Sequence, residues 1–249
     1  FDTSCLYLIY IRNFMETNYS DQCYPEFRNL VLTSQLNETH YQTIKNIVLK
    51  IVNKKGLKPA TIYSLTDKKE LLDLDRRTSF RLTTHSNEIT KFLKLILIPH
   101  LNKCSPYKWS LIENHYDIVS YDINGQFKRH RDYNWFYAPN RIQMSVLISL
   151  NNSNSGTQIW YPHNYSPIDN INSIKDESNQ LILDKTLNSW VDIVKGVYSV
   201  KNYTQIFQES SISGGILAFP SDWYHSGLKV IEGSKLLLIA TCSLKYNIS

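Results

Sequence analysis

The segment 121–132, with the sequence YDINGQFKRHRD, ends in a His-x-Asp motif. In a β-strand, residues i and i+2 point to the same face of the sheet. If residues 128–132 are extended, the imidazole of His130 and the carboxylate of Asp132 therefore lie side by side. One nitrogen and one oxygen placed in this way can bind the same metal ion, which makes the segment a candidate metal site.

A second histidine from a distant strand would complete this site. The candidate is His225, in the segment 220–227 with the sequence PSDWYHSG. Two imidazoles and one carboxylate on one face of an octahedral ion form the set typical of non-haem Fe(II) oxygenases, with positions left open for other ligands. The motif alone is weak, because the chain has seven histidines and His115-Tyr116-Asp117 is a second His-x-Asp.

Lys235 adds a charged group at a defined distance from His225. It follows that histidine by ten residues and opens the apolar run KLLLIA. A lysine is costly to bury unless it is paired, and a bound dicarboxylate would supply the partner through a charge-assisted hydrogen bond. The alternative is a lysine that reaches solvent from the end of a strand.

The apolar pattern changes from helical to strand-like after residue 110. Upstream, apolar residues recur at spacings of three and four over residues 40–52 and 87–101, which predicts two helices, the second limited by Pro99. Residues 27–32 are predicted as a strand. Helices followed by a run of strands indicate an α+β protein with a β-sandwich or jelly-roll core. The predicted downstream strands cover residues 116–121, 144–150, 215–220 and 235–241.

The chain is expected to form one domain over residues 26–249, after an N-terminal extension of residues 1–25. Residues 161–210 fit the strand pattern poorly, because they are polar, aromatic and rich in asparagine. We expect an insertion here that could cover a site, with a helix-like patch at residues 187–194.

Composition excludes several classes of protein. With 42% hydrophobic and 20% charged residues in 249, the chain is globular rather than disordered. Its apolar runs are too short to cross a bilayer, so no membrane insertion is expected. A net charge of +5 without a basic arm makes nucleic acid an unfavoured partner. The four cysteines lack CxxC spacing; Cys5 and Cys23 could pair, but free thiols and an intracellular location are favoured.

Further motifs appear in a fixed order around these residues. They are Arg77-Thr78-Ser79, Tyr121 nine residues before His130, Arg141 at the start of the next strand, Ser155-Gly156-Thr157, a Gly215-to-Phe219 strand, His225 and Lys235. With these elements in this order, the sequence over residues 26–244 resembles the Fe(II)- and 2-oxoglutarate-dependent dioxygenases, specifically the prolyl 4-hydroxylase-like branch. The resemblance rejects His115, which has Pro106 where the family has a tyrosine.

The resemblance implies a double-stranded β-helix, a jelly roll with N-terminal helices packed on one sheet. It implies Fe(II) bound by His130, Asp132 and His225. The cosubstrates would be 2-oxoglutarate and O₂, and the resemblance also allows ascorbate as a cofactor. Lys235 would anchor the distal carboxylate of 2-oxoglutarate, assisted by two hydroxyl groups, and Arg141 would lie near a peptide substrate. The hydroxyl groups are those of Tyr121 and Thr157.

The leading interpretation is therefore a dioxygenase that hydroxylates a protein or peptide side chain, with prolyl residues as the default target. Three alternatives remain open. A dioxygenase of the same fold could act on a small molecule or on a nucleic acid, or the chain could be a non-enzymatic jelly-roll binding module. The sequence leaves the oligomeric state undetermined.

Overall fold

Two antiparallel sheets form the framework of the protein. The computed structural model describes residues 30–64, 69–75, 77–112, 115–130, 132, 141–162, 180–184, 189–193, 203–208, 210–221 and 223–245. The expected N-terminal extension, with Cys5 and Cys23, lies outside these residues. The described cysteines, Cys104 and Cys242, are free thiols, as expected.

The chain forms sixteen described strands: β1 (Leu32–Gln35), β2 (Lys58–Pro59), β3 (Ile62–Ser64), β4 (Lys69–Leu71), β5 (Phe80–Thr84), β6 (Lys108–Leu111), β7 (Tyr116–Tyr121), β8 (Phe127–His130), β9 (Arg141–Ser149), β10 (Thr157–Pro162), β11 (Gln180–Asp184), β12 (Ser189–Ile193), β13 (Tyr203–Gln208), β14 (Gly215–Pro220), β15 (Tyr224–Gly227) and β16 (Lys235–Lys245). The larger sheet has eight strands in the order β1-β14-β9-β16-β7-β5-β2, with β6 paired to β16. The smaller sheet has the order β13-β10-β15-β8. Two hairpins, β3-β4 and β11-β12, are hydrogen-bonded to neither sheet, although β12 contacts β8.

Helix α1, Glu38–Lys55, covers the first predicted helix and extends it at both ends. It begins where the Asn37 side chain accepts a hydrogen bond from the His40 amide, which satisfies one of the free N–H groups of the first turn. It ends at Gly56, whose φ of 73° lies in the region that glycine tolerates best. Its buried side chains recur at spacings of three and four and face the larger sheet; they are Tyr41, Ile44 and Val48.

The second predicted helix is longer than expected and passes through Pro99. It consists of α2 (Asn87–Phe92), a π-helical turn (Leu93–Leu97) and α3 (Ile98–Cys104). The prediction that Pro99 limits the helix is therefore wrong. The π turn ends just before this proline, and Pro99 stands in the first turn of the next helical segment, where a missing N–H group is tolerated.

The larger sheet has an apolar outer face and a more polar inner face. On β9, Met144, Val146 and Ile148 are fully buried and belong to one hydrophobic cluster with the helical side chains. The residues between them, including Gln143 and Ser145, point to the opposite side, where the smaller sheet lies. This alternation places polar groups between the two sheets, which is where the site is found.

The predicted α+β class is confirmed, and so are the four strands after residue 110. Strands β7 and β14 have the predicted bounds, whereas β9 and β16 begin earlier or continue further than predicted. The helix-like patch at residues 187–194 is wrong, since Ser189–Ile193 forms β12, in keeping with its aromatic and β-branched residues. In the chain as far as it is described, no helix has the length and hydrophobicity needed to cross a membrane.

Much of the expected insertion, residues 161–210, lies outside the described residues. Its first two residues, 161 and 162, however, belong to β10, and residues 203–208 near its end form β13, which pairs with β10 in the smaller sheet. The N-terminal strand expected at residues 27–32 overlaps β1 only at Leu32, and residues 27–29 are not described.

Candidate active site

The structure brings His130, Asp132 and His225 together between the two sheets. His130 is the last residue of β8 and His225 lies opposite it on β15, so strand pairing places the two imidazoles side by side. The Nε2 atoms of His130 and His225 lie 3.7 and 3.6 Å from Asp132 Oδ1. Among the described residues, these three form the one group of metal-ligating side chains whose ligand atoms all lie within 4.8 Å of one another.

Both imidazoles are oriented by the backbone two residues before them. The Nδ1 atom of His130 lies 2.8 Å from the carbonyl oxygen of Lys128, and that of His225 lies 2.9 Å from the carbonyl oxygen of Trp223. Since a carbonyl only accepts hydrogen bonds, each Nδ1 carries a proton, and in the neutral form of each ring the lone pair is therefore on Nε2. Both lone pairs therefore point towards the carboxylate of Asp132, as metal ligation requires.

Asp132 is fixed by two serines from the larger sheet side. Ser145 Oγ on β9 donates to Asp132 Oδ2 over 2.7 Å and lies 2.9 Å from Ser221 Oγ. The Asp132 amide donates to the Ser221 carbonyl at 2.9 Å. Burial raises the pKa of Asp132, but the neighbouring imidazoles and the Ser145 hydroxyl outweigh it and hold the pKa well below its usual range. The carboxylate is thus ionised, with Oδ1 left to face the imidazoles.

His130 is held from its other side by a stacked aromatic ring. Phe127 lies 3.5 Å from the His130 ring, centroid to centroid, and at an angle of 18°. The buried guanidinium of Arg77 covers Phe127 at 4.3 Å, and its Nε donates to Ser79 Oγ over 2.8 Å. Burial, reinforced by nearby His225, lowers the pKa of His130 well below its usual range, so this imidazole is neutral at pH 7.

Lys235 is a buried cation without a described anionic partner. Its side chain is 1% exposed, and its Nζ donates to the carbonyl oxygen of Gly156. No described carboxylate forms an ion pair with it, and burial lowers its pKa to about 7. A buried ammonium in this state is stabilised by a bound anion, so the site fits a ligand with a carboxylate at this position.

Tyr121 connects Lys235 with the strand that carries His225. Tyr121 lies opposite Lys235 in the pairing of β7 with β16, and Lys235 Nζ is 5.8 Å from its ring centroid. A Cβ atom added to Gly227 would come within 3.3 Å of Tyr121 Oη, so this glycine lets the tyrosine approach β15. Thr157 lies opposite Gly227 on β10 and is buried. The structure thus places Lys235, Tyr121 and Thr157 around one end of the space between the sheets.

Arg141 lies on the strand that carries Ser145. It is the first residue of β9 and shares a face with Ser145, four positions along the strand. Its Nη1 donates to Ser243 Oγ on β16 at 3.0 Å. His115, which the resemblance excluded as a ligand, is exposed and lies near His85, with 6.2 Å between ring centroids.

Several residues of the site were missed by sequence reasoning. Ser145 interrupts an apolar strand at an inward position, and this alternation was a signal that could have identified it. Ser221, Phe127 and the Gly156 carbonyl carried no comparable signal. Their roles depend on contacts between strands that are far apart in sequence.

No protein-family model matches the chain, and no curated protein matches its sequence. Solved structures do share its fold. A prolyl hydroxylase from Trichoplax adhaerens, in complex with a hypoxia inducible factor peptide, has a TM-score of 0.50 at 13% identity and covers 98% of this chain and 90% of its own. The non-haem alpha-ketoglutarate-dependent carbocyclase SnoK of nogalamycin biosynthesis has a TM-score of 0.56 at 10% identity, covering 92% and 85%.

A third structure is the epimerase SnoN in complex with Fe³⁺, alpha-ketoglutarate and nogalamycin RO. Its TM-score is 0.52 at 7% identity, and the match covers 87% of this chain and 78% of that one. At these identities the likeness shows the fold. The chain has the jelly-roll fold that 2-oxoglutarate-dependent oxygenases use, which confirms the expected architecture.

Proposed function

We propose that this protein is an Fe(II)- and 2-oxoglutarate-dependent dioxygenase that hydroxylates a protein or peptide side chain. The observation that carries the proposal is the combination of two features within one jelly roll. His130, Asp132 and His225 present their ligand atoms to one another, and the buried ammonium of Lys235 lacks a described counter-charge. A metal explains the first feature and a dicarboxylate explains the second.

The iron ligands would be Nε2 of His130, Nε2 of His225 and Oδ1 of Asp132. Each of these atoms is left available because its neighbour in the same side chain is already hydrogen-bonded. Two nitrogens and one carboxylate oxygen are the donor set of non-haem Fe(II) oxygenases. The hydrogen bonds behind the ligands would fix the tautomer of each imidazole and the orientation of the carboxylate.

The cosubstrate would lie between the cluster and Lys235. The Lys235 ammonium would bind the far carboxylate of 2-oxoglutarate, with the hydroxyl groups of Tyr121 and Thr157 beside it. Burial strengthens this ion pair and excludes water from the anchored end. Leu237 on β16 occupies the inner-face position next to Lys235 and provides part of an apolar wall.

With iron bound, the site would supply the oxidising chemistry by which 2-oxoglutarate and O₂ become succinate and CO₂ while a substrate C–H bond is hydroxylated. The chain itself would position the reactants: Ser145 and Ser221 keep Asp132 in place, and Lys235 orients the cosubstrate. Arg141 would contact the substrate from the start of β9. Ascorbate would serve as an accessory reductant.

An anaerobic optical titration tests this proposal. Fe(II) and then 2-oxoglutarate are added to the protein, and a weak visible charge-transfer band from the chelated keto acid is expected. The band should be lost in His130→Ala and should require much more 2-oxoglutarate in Lys235→Met. His115→Ala, which changes an exposed histidine outside the cluster, is the matched control and should keep the band. A well-folded parent that shows no band would contradict the proposal and favour a non-enzymatic binding module.

The substrate requires a separate experiment. Peptide libraries and small-molecule mixtures are incubated with the loaded enzyme, and mass spectrometry detects the gain of one oxygen atom. Oxygen on a peptide, with succinate formed in equal amount, supports a peptide hydroxylase. Oxygen only on a small molecule would replace that reading with a same-fold dioxygenase of another substrate class.

A further inference from the structure

Three cations stand in a row across three adjacent strands of the larger sheet. Lys245 on β16 lies directly opposite Arg141 on β9 and directly opposite Lys108 on β6. Neighbouring strands are about 4.8 Å apart, so the three residues fall within roughly 10 Å. Like charges at directly opposite positions destabilise a sheet. Among the described residues no ion pair joins a carboxylate to any of them, so the row is available to an anionic ligand.

The row lies on the inner face of the sheet. Arg141 is four positions from Ser145, on the same side of β9, and Ser145 holds the candidate iron ligand Asp132. Lys108 is on the opposite side of β6 from Trp109, which is buried in the cluster that packs against the helices. At about 3.3 Å per residue, the row is roughly 13 Å along the strand from Ser145.

The row of Arg141, Lys245 and Lys108 forms the rim of the inner face, and the side chains change from charged to neutral polar between this rim and the candidate iron ligands. The next inward position on each strand carries a neutral polar side chain, with Gln143, Ser243 and Ser110 opposite one another. Lys108 and Lys245 are exposed, whereas Gln143 and Ser243 are buried. The inner face between the row of cations and Asp132 is therefore lined by buried hydrogen-bonding groups.

The candidate iron site thus has Lys235 on one side and the row of three cations on the other, and these two groups differ in number and burial. Lys235 is single and buried, which suits one carboxylate of a small cosubstrate. The row has three cations, of which Lys108 and Lys245 are exposed and Arg141 is half-buried, and this suits a larger ligand with several negative charges. We propose that the main substrate is an acidic peptide segment whose carboxylates bind Arg141, Lys245 and Lys108 while its oxidised residue reaches the iron site. This inference rests on the proposed function and names its substrate class.

A peptide fits the row better than a nucleic acid does. In an extended peptide, side chains on one face repeat about every 6.6 Å, so two acidic residues span the row. A nucleic-acid surface instead requires a longer basic stripe along the phosphate backbone, and the net charge of the whole chain is only +5.

Fluorescence anisotropy tests the inference on protein loaded with Fe(II) and 2-oxoglutarate under anaerobic conditions. The probes are a labelled peptide of repeated Glu-Ala-Pro units, the same peptide with glutamine or lysine in place of glutamate, and oligo-dT of equal length. The glutamate peptide should bind at least about tenfold more tightly than the glutamine peptide, and added salt should weaken it. Lys108→Gln and Lys245→Gln should each weaken it by about two- to fivefold.

Lys54→Gln is the matched control, because Lys54 is an exposed lysine on α1 and should leave the affinity unchanged. The charge-transfer band is recorded for every variant. An intact band with equal binding of the glutamate and glutamine peptides overturns the acidic-substrate inference and leaves the proposed function standing. An absent band in the parent overturns both. Tighter binding of oligo-dT than of the glutamate peptide also overturns the inference and indicates a nucleic-acid substrate.

Discussion

Replacing Lys235 with methionine should stabilise the protein in the absence of ligands and, at the same time, remove most of its affinity for 2-oxoglutarate. Methionine approximates the length of the lysine stem but carries no charge. In the structure the ammonium is buried, donates to the Gly156 carbonyl and lacks a described carboxylate partner. The substitution therefore removes an unfavourable buried charge and one hydrogen bond.

The magnitude follows from the pKa of Lys235, which burial lowers from 10.5 to about 7. That change corresponds to at most about 5 kcal/mol against the charged form, and loss of the Gly156 hydrogen bond offsets about 1 kcal/mol. A net gain of about 1–4 kcal/mol in unfolding free energy is expected at pH 7. Affinity for 2-oxoglutarate should fall by more than about a hundredfold, since its carboxylate would be buried without a partner.

The sign of the pH dependence provides a second readout. Between pH 7 and 10.5 the unfolded chain keeps the Lys235 proton while the folded chain releases it, so the unfolded state binds more protons. The stability of the empty parent should therefore rise with pH across this window. The difference between Lys235→Met and the parent should shrink over the same range.

Urea denaturation at several pH values measures the stability, and the anaerobic band measures the affinity. Lys54→Met, a change at an exposed lysine, is the control and should move neither quantity appreciably. The reasoning is refuted if Lys235→Met binds 2-oxoglutarate within about threefold of the parent, or if it is less stable than the parent at pH 7.

Three further changes test the support around the site. Ser145→Ala removes the hydrogen bond to Asp132 and should weaken Fe(II) binding by about 10- to 100-fold in a metal titration, an effect that Ser149→Ala should not reproduce. Gly227→Ala places a methyl group 3.3 Å from a buried hydroxyl and should cost about 1–3 kcal/mol in urea denaturation; an unchanged midpoint would show that the tyrosine can yield. Tyr41→Phe removes a 3.0 Å hydrogen bond to the Leu150 carbonyl, directly after β9, and should lower the unfolding free energy by about 1 kcal/mol, without altering the metal titration.

The candidate ligands could be predicted because their relation is encoded over short distances. Strand geometry relates His130 to Asp132, two positions further on, whereas the relation of His225 to Lys235, ten residues later, came from the family resemblance. Even so, strand β8 ends at His130, and Asp132 lies beyond it. The carboxylate is placed by its contacts with Ser145 rather than by the strand itself.

The supporting residues were not predicted, because their contacts depend on strand register and side-chain direction, which the local sequence does not show. The contact between Ser145 and Ser221 joins residues 76 positions apart, and its register is set by the pairing of β9 with β14. Stacking of Phe127 on His130 also depends on side-chain direction at the end of a strand. The π turn before Pro99 is a comparable case. Proline normally ends a helix, but here the hydrogen-bond pattern changes just before Pro99 and the helix continues beyond it.

The order of exposure along the inner face constrains how ligands could enter the proposed site. Lys245 at the rim is exposed, the side chain of Asp132 is 38% exposed, and Lys235 is 1% exposed. A dicarboxylate bound to Lys235 would therefore occupy the least accessible of these three positions. A peptide bound to the row of cations would lie over the more accessible positions, at Lys245 and Asp132. If both proposals hold, 2-oxoglutarate has to bind before the peptide, since a peptide on Arg141 and Lys245 would obstruct this approach. The same row of cations that attracts an acidic substrate would also draw the dianionic cosubstrate inwards, towards the single buried charge that retains it.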